Sequence, residues 1–488
     1  MKAPAPLRMR VLLVIVSGAS MLASFSSTAV AAPARPAIGP AAATADTLRL
    51  TLDDAVRMAL EQGIDMQVAN AETRIASGRI REAAADAWPQ LTGAIDYTRQ
   101  FDSIFSGAAD AGSDSIFGPL LENSPFAAEK TWKLDVTGSQ TVYSRKVGAG
   151  VGAARAYRKQ TDANRAETAA SVTLRVKQAY LTASAAAQLL DISQVGRDQA
   201  QAHFQQVQMF RRQGTRAEYD LIQAQVDAMN AEPPVVSAIN DYELAMLDLK
   251  RVLGISLHQP LALTTPLRFA DGTVPVPDDA SLAPVQRAAM VSAEAEVEGR
   301  EKLLDVERAM RWPELKVSGT VSHQAFPSDE LPTRDQFRRS IQGTARIEFP
   351  LFLGFKSFGA IQRATAEVHK AEVRREELRQ QLDLDIERAR QDVRRTLALL
   401  LARRGTVQLA ERAHHLANVR YGNGLSTQLE VTDARYKMLA SEGNEVIAAR
   451  DYLAALAQLE RALGRPVPVT RRPIDQISLM APNELAPR

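Results

Sequence analysis

The sequence predicts a mainly α-helical chain that also carries the staves of a membrane β-barrel, built as a duplicated unit of helix, two strands and a long helical hairpin. Three observations carry that fold class. Residues 148–212 and 355–421 contain no proline, and at about 1.5 Å per residue each would make a helix of about 95–100 Å. No compact globule accommodates that length. Landmarks also recur at one spacing: Gly214 and Gly424 interrupt helical patterns (424 − 214 = 210), and Arg251-Val252-Leu253-Gly254 and Arg461-Ala462-Leu463-Gly464 end them (464 − 254 = 210). Finally, four segments of roughly ten residues alternate apolar and polar side chains, the pattern of outer-membrane barrel strands.

Composition narrows what such a chain can do. Apolar residues make up 45% of the 488 and aromatics 5%, so Ala, Leu and Val carry the apolar share, which favours long helices. With 59 Lys and Arg against 57 Asp and Glu, the net charge of +2 lacks the basic footprint of a nucleic-acid binder. The absence of cysteine excludes disulfides, thiolate metal sites, cysteine nucleophiles and a lipid-modified N-terminal cysteine. No P-loop, HExxH or GxSxG element occurs. Gly148-Ala149-Gly150-Val151-Gly152-Ala153 mimics a dinucleotide fingerprint, but the buried parallel strand and short βαβ unit it needs are missing. His414-His415 are helix neighbours that face apart without a carboxylate cluster. No catalytic residue, cofactor or metal is expected.

The elements follow in order. Residues 1–31 read as a signal peptide: Lys2, Arg8 and Arg10 precede an apolar run that ends in the cleavage-type Ala29-Val30-Ala31. Residues 32–254 form the first repeat. A helix from about Leu52 to Ala87 stops at Trp88-Pro89, because the residue before proline leaves the α region. Strands follow at about 89–101 and 132–143, then long helices at about 148–212 and 216–253. A connector spans 255–280. The second repeat, 281–464, has strands at about 313–325 and 339–352 and helices at about 355–421 and 426–463, before a proline-rich tail, 465–488. Pro233-Pro234 falls where the 210 offset puts Gly443-Asn444, so a bend or break is expected in the second helix of each hairpin. Ala87-Trp88-Pro89 and Arg311-Trp312-Pro313 match at an offset of 224, which assigns the length difference to the loop between the strands.

Helix 355–421 carries an apolar seam at Leu378, Leu382, Ile386, Ala389, Val393, Leu397 and Leu400. Its steps of 4, 4, 3, 4, 4, 3 make an eleven-residue repeat, close to the natural helical period, so the seam runs nearly straight like a stave. The strand alternation alone fits an amphipathic soluble sheet as well as a barrel. Trp88, Trp132 and Trp312, all at strand starts, favour membrane-interface belts. Four strands cannot close, since the smallest membrane barrels need about eight, so copies must combine to give 8, 12 or 16. The competing reading is a soluble periplasmic coiled-coil scaffold or adaptor.

The ordered set of motifs resembles the TolC-type outer-membrane efflux proteins. It comprises the opening Leu50-Thr51-Leu52-Asp53-Asp54-Ala55, the paired Trp-Pro-x-Leu strand starts, Phe349-Pro350-Leu351-Phe352-Leu353-Gly354, Tyr421-x-x-Gly424 and the paired Leu-Gly ends. The resemblance implies a homotrimer with a 12-strand barrel in the outer membrane and a helical barrel across the periplasm. That assembly would act as the exit duct of a tripartite export system whose periplasmic adaptor and inner-membrane pump are separate proteins. It further implies an aperture lined by Tyr421, Asp220, Glu430 and Asp433, and adaptor docking at the tips, Gln213-Gly214-Thr215 and Asn423-Gly424-Leu425. Where some members carry a basic residue two places after the tip glycine, this chain has Ser426; Arg216 holds the corresponding place in the first repeat and is the candidate to replace it in a salt-bridge lock.

Overall fold

The computed structural model describes residues 47–101, 129–265, 267, 273–277, 287–327 and 331–473. The expected signal peptide and the tail beyond residue 473 lie outside the described residues. The first repeat opens with β1 (Leu48–Leu50), α1 (Leu52–Gln62) and α2 (Ile64–Ala85). Thr51 caps α1, accepting from the Asp54 N–H at 3.2 Å. The single helix expected over 52–87 is broken at Gly63, where a Cβ would lie 2.2 Å from the Ala59 carbonyl oxygen. Strands β2 (Gln90–Arg99) and β3 (Lys130–Tyr143) lead into α3 (Arg145–Arg212), 68 residues long. The return is α4 (Glu218–Asn230) and α5 (Glu232–Leu253).

Two short strands, β4 (Leu261–Leu263) and β5 (Thr273–Pro277), occupy the connector. The second repeat then runs α6 (Ala288–Ala309), β6 (Glu314–Ala325), β7 (Arg338–Glu348), α7 (Lys356–Gly422, 67 residues), α8 (Gln428–Leu463) and β8 (Val469–Pro473). The connector and tail are proline-rich, with little periodicity to announce an element. Even so, β4 pairs in parallel with β1, and β5 pairs antiparallel with β8, so each repeat is closed by its own two-stranded sheet.

The duplication is visible in individual bonds. At the first tip Thr215 N–H donates to the Phe210 carbonyl at 3.1 Å and Gly214 N–H to Arg211 at 3.0 Å. At the second, Leu425 donates to Arg420 at 2.8 Å and Gly424 to Tyr421 at 3.0 Å. Both glycines are left-handed, with φ of 74° and 73°, which is the Schellman ending that releases a chain from a helix. Gly254 and Gly464 repeat it with φ of 73° and 72°.

The two expected mid-helix interruptions have different outcomes. Pro233 and Pro234 sit in the first turn of α5 and separate it from α4. By contrast α8 runs unbroken through Gly443, because glycine keeps its N–H and costs a helix only about 1 kcal/mol. Its missing side chain leaves ordinary contact space for Leu189 Cδ2, 3.5 Å from where a Cβ would lie.

Two cores form around the long helices, the second built by the second repeat together with Leu181, Ala185 and Ile192 of α3. The first gathers Leu50, Ala55, Val176, Tyr180, Leu249 and Leu253; the second gathers Val274, Leu397, Leu400, Tyr452, Leu459 and Leu463. The buried tyrosines tie the helices to the small sheets. Tyr180 hydroxyl donates to the Leu50 carbonyl and accepts from the Thr265 N–H, each at 3.0 Å. Tyr452 hydroxyl donates to the Pro275 carbonyl, and burial pushes its pKa up. In α7 the seam residues Ile386, Ala389, Val393, Leu397 and Leu400 are buried.

Candidate functional site

The long strands form one antiparallel sheet in the order β2-β3-β6-β7. Its register aligns the alternating faces of all four. One row across the sheet is Gly93, Val136, Val321 and Ile341, and the adjacent residues form Thr92, Thr137, Thr320 and Gln342. One face is therefore mainly apolar, interrupted by His323 and Arg339 toward the far end and by Gln140 opposite Val317, and the other carries hydroxyls, amides and charges, since side chains alternate with period two. A one-residue slip in any pair would mix the faces. The apolar side chains point away from any core: Leu91 is 77% exposed, Ile95 72% and Ile341 64%. Strands β2 and β7 form the two edges, with no further strand partner among the described residues.

Antiparallel pairing distributes the tryptophans over both ends of the sheet. Trp88 and Trp312 precede β2 and β6 at the helical end. Trp132 lies opposite Tyr97 and Ala325 at the other. Its ring centroid is 4.9 Å from that of Tyr97, and the Arg145 guanidinium lies 4.5 Å from the Trp312 ring centre. At the helical end β7 stops at Glu348 rather than 352, because Pro350 has no N–H for the ladder.

At the opposite end of the helices, the tip residues Gln213, Gly214, Thr215, Asn423, Gly424 and Leu425 are all exposed. Tyr421 is not: it is 3% exposed and packed between the hairpins. The Arg216 guanidinium lies 4.2 Å from its ring centre and donates to its backbone carbonyl at 3.3 Å. His203 of α3 flanks the ring at a centroid separation of 5.5 Å. Burial pushes the Tyr421 hydroxyl above its ordinary pKa. The structure thus brings Arg216 and Tyr421 together through a ring face and a carbonyl. Among the described residues no carboxylate lies within 4.0 Å of Arg216 to complete the salt-bridge lock considered for it.

Glu430 and Asp433 are exposed on α8, one turn apart on the same side. Ser426 hydroxyl donates to Glu430 at 2.8 Å and holds its carboxyl below the usual range. Lys437 pairs with Asp433 at 2.7 Å. Asp220 is half-buried in the first turn of α4. Motif reasoning missed three polar residues near this end of the helices: the half-buried His203 against Tyr421, and the buried Gln428 and Arg435 of α8. A signal existed for two of them, since Gln428, Val431, Arg435 and Met438 share one face of α8 at helical spacing.

The comparisons agree with this architecture. Outer membrane efflux proteins, as a family, match residues 55–255 and 280–465, and the chain belongs to that family. It is 24% identical over 424 residues to the multidrug resistance outer membrane protein MdtQ of Escherichia coli O157:H7, covering 85% of each chain. Its fold is that of the Campylobacter jejuni CmeC outer membrane channel (TM-score 0.68, 16% identity, 88% of each chain). It is likewise that of the Neisseria gonorrhoeae MtrE outer membrane channel (TM-score 0.66, 18% identity, 85% of this chain and 89% of that one). Among the described residues no helix is long and apolar enough to cross a membrane.

Proposed function

We propose that this protein is the outer-membrane exit duct of a tripartite efflux system. Three copies would close their sheets into a 12-strand barrel and stack their hairpins into a helical barrel across the periplasm. The observation that carries this reading is the open sheet itself: four strands in register, an exposed aliphatic face, two unpaired edges and an aromatic residue pair or tryptophan at each end. Exposed edges are a liability in water and do not occur in lipid, where every backbone polar group must be paired. Partner strands from further copies resolve both problems.

The remaining roles follow from that assembly. The signal peptide, residues 1–31, directs export. Trp88, Trp132 and Trp312 anchor the barrel at the two membrane interfaces. Glu430 and Asp433, repeated around a threefold axis, make carboxylate rings that favour cations, with Asp220, Arg216 and Tyr421 shaping the same periplasmic aperture. The exposed tips 213–215 and 423–425 dock a periplasmic adaptor that couples the duct to an inner-membrane pump. Native mass spectrometry of protein extracted in detergent from isolated outer membranes tests the reading. Three chains are expected; a soluble periplasmic monomer or dimer would replace the duct with a scaffold.

A further inference from the structure

The apolar face of the four-stranded sheet carries charge at one end only. The register places the odd-numbered residues of β2, β6 and β7 on that face with the even-numbered residues of β3 up to Gln140. Its basic side chains are Arg99, Lys130, His323 and Arg339, and no aspartate or glutamate occurs among these positions. All four lie at the end farthest from the long helices. The polar face is mixed along its length, with Asp96 opposite Lys133, then Asp135, and Lys316 opposite Arg346.

The basic groups stand as two poles on either side of a pair of rings. His323 and Arg339 are cross-strand neighbours, both exposed, with Cβ atoms about 5 Å apart. The next row outward is Tyr97, Trp132 and Ala325, the two ring centroids 4.9 Å apart. One row further Arg99 lies opposite Lys130, about 13 Å along the strands from the first pole. Arg99 is engaged by Glu129, just before β3, at 2.9 Å. Among the described residues no carboxylate lies within 4.0 Å of Arg339.

A lipid-facing surface tolerates long charged side chains near an interface, where they reach the headgroups. Tolerance alone selects no sign, since acids on such a face are penalised less than Lys and Arg. It selects no end either. The helical end of the same face has Leu91, Leu315 and Ile347, and the arginines just beyond its strands, Arg145 and Arg311, each lie over an aromatic ring. Charge of one sign at one interface calls for an anionic partner there. A guanidinium gives a phosphate two parallel N–H donors and an ammonium gives it a point charge, while the rings between the poles offer an apolar bed with polar tips. We propose that this patch binds a phosphorylated glycolipid of the outer leaflet, its phosphates at Arg339 with His323 and at Lys130, its sugar over Tyr97 and Trp132. The inference rests on the duct reading, which turns this end of the sheet to the cell surface.

The test is native mass spectrometry of the protein extracted in detergent from isolated outer membranes, delipidated, and titrated with three probes: bisphosphorylated lipid A, the same lipid after phosphatase treatment, and phosphatidylglycerol. The bisphosphorylated lipid should bind about ten-fold more tightly than either of the others. Combining His323→Gln with Arg339→Gln should remove about that factor, and Arg338→Gln, one residue away on the polar face, should leave it intact. Equal binding of the phosphorylated and dephosphorylated lipids would overturn the proposal on the unmodified protein alone, even where the double variant fails to assemble. Equal binding of phosphatidylglycerol, or undiminished selectivity in the double variant, would overturn it as well. The same spectra count the chains, so a trimer without lipid selectivity removes this site and keeps the duct, whereas a soluble monomer or dimer removes both.

Discussion

A lysine at Val317 should be far more damaging than one at either Ser318 or Ile347. The register fixes depth as well as face. Trp312 precedes β6, and Ala325, at the other end of that strand, lies opposite Trp132. Thirteen residues at about 3.3 Å each, tilted by about 40°, span ~33 Å of height, close to the ~30 Å of a hydrocarbon core. Val317 is five residues from Trp312, ~13 Å above the helical-end interface on the same arithmetic. It belongs to the aliphatic face, with Ala345 beside it on β7. Lysine near mid-membrane on a lipid-facing barrel position costs about 2–4 kcal/mol, which three copies in the proposed trimer would triple. Ile347 shares the face but pairs with Leu315, three residues from Trp312, where the cost falls to about 0–1 kcal/mol. Ser318, one residue on from Val317, points to the polar face, so Ser318→Lys should be nearly silent. Urea titration of folding into lipid vesicles, with the gel shift of heat-resistant trimer as a second readout, gives the order. Equal tolerance of Val317→Lys and Ser318→Lys, or the reverse order, would refute the assignment of the lipid face.

Four further outcomes are expected. Replacing Glu430 and Asp433 with alanine should reduce cation preference in planar-bilayer conductance; unchanged selectivity would remove both from the aperture. Tyr452→Phe deletes the hydrogen bond to the Pro275 carbonyl and should lower the denaturant midpoint by the equivalent of about 0.5–1.5 kcal/mol, whereas no change would mean that β5 contributes little to the second core. Gly424→Ala places a Cβ in a left-handed turn at φ 73°, costing about 1–2 kcal/mol, which hydrogen exchange should register at the tip, and Gly214→Ala should match it. His203 is held below its ordinary pKa by burial, so the unfolded state binds the proton more readily. Its contribution is complete above the unfolded value of pH ~6.5 and is lost below it, as pH falls through the depressed folded pKa. Tip exchange should therefore accelerate from about pH 7.5 to about pH 5.5, and His203→Phe should flatten the profile.

The helices and their return points are legible in the sequence because proline and glycine act locally. A proline inside α3 or α7 would have broken it, and Gly214, Gly254, Gly424 and Gly464 each sit at a φ that other residues rarely adopt. The strand faces are legible because a period of two needs no tertiary information. What sequence reasoning lost depended on partners far along the chain. Strand β4 has three residues and exists because β1 lies beside it, more than two hundred positions earlier. Gly63 is a local exception: its extended ψ of 139° ends α1 in a conformation where a Cβ would strike the Ala59 carbonyl oxygen. At the tips, the family resemblance suggested a salt-bridge lock for Arg216, while the fold offers it the face and carbonyl of Tyr421. Arg435 reads as a solvated charge until the helical face it shares with Val431 and Met438 is seen to be buried.

The two ends of the molecule are linked by one geometric requirement. Each repeat passes from its two strands directly into a helix of 68 or 67 residues, so in the proposed trimer the rotation that would bring β7 of one copy beside β2 of the next would also place the helices side by side. Exposed Tyr219, Ile222, Val226 and Met229 step along α4 at helical spacing, ready for lateral contact. Stave-like packing demands that such contact persist over the full length, because the nearly straight seam of α7 gives little supercoil to absorb a mismatch. In that proposed assembly, closing the sheet would set how near the axis Glu430 and Asp433 can come. A change at the β2 or β7 edge that alters closure should alter ion selectivity about 100 Å away, with no residue of the tip disturbed.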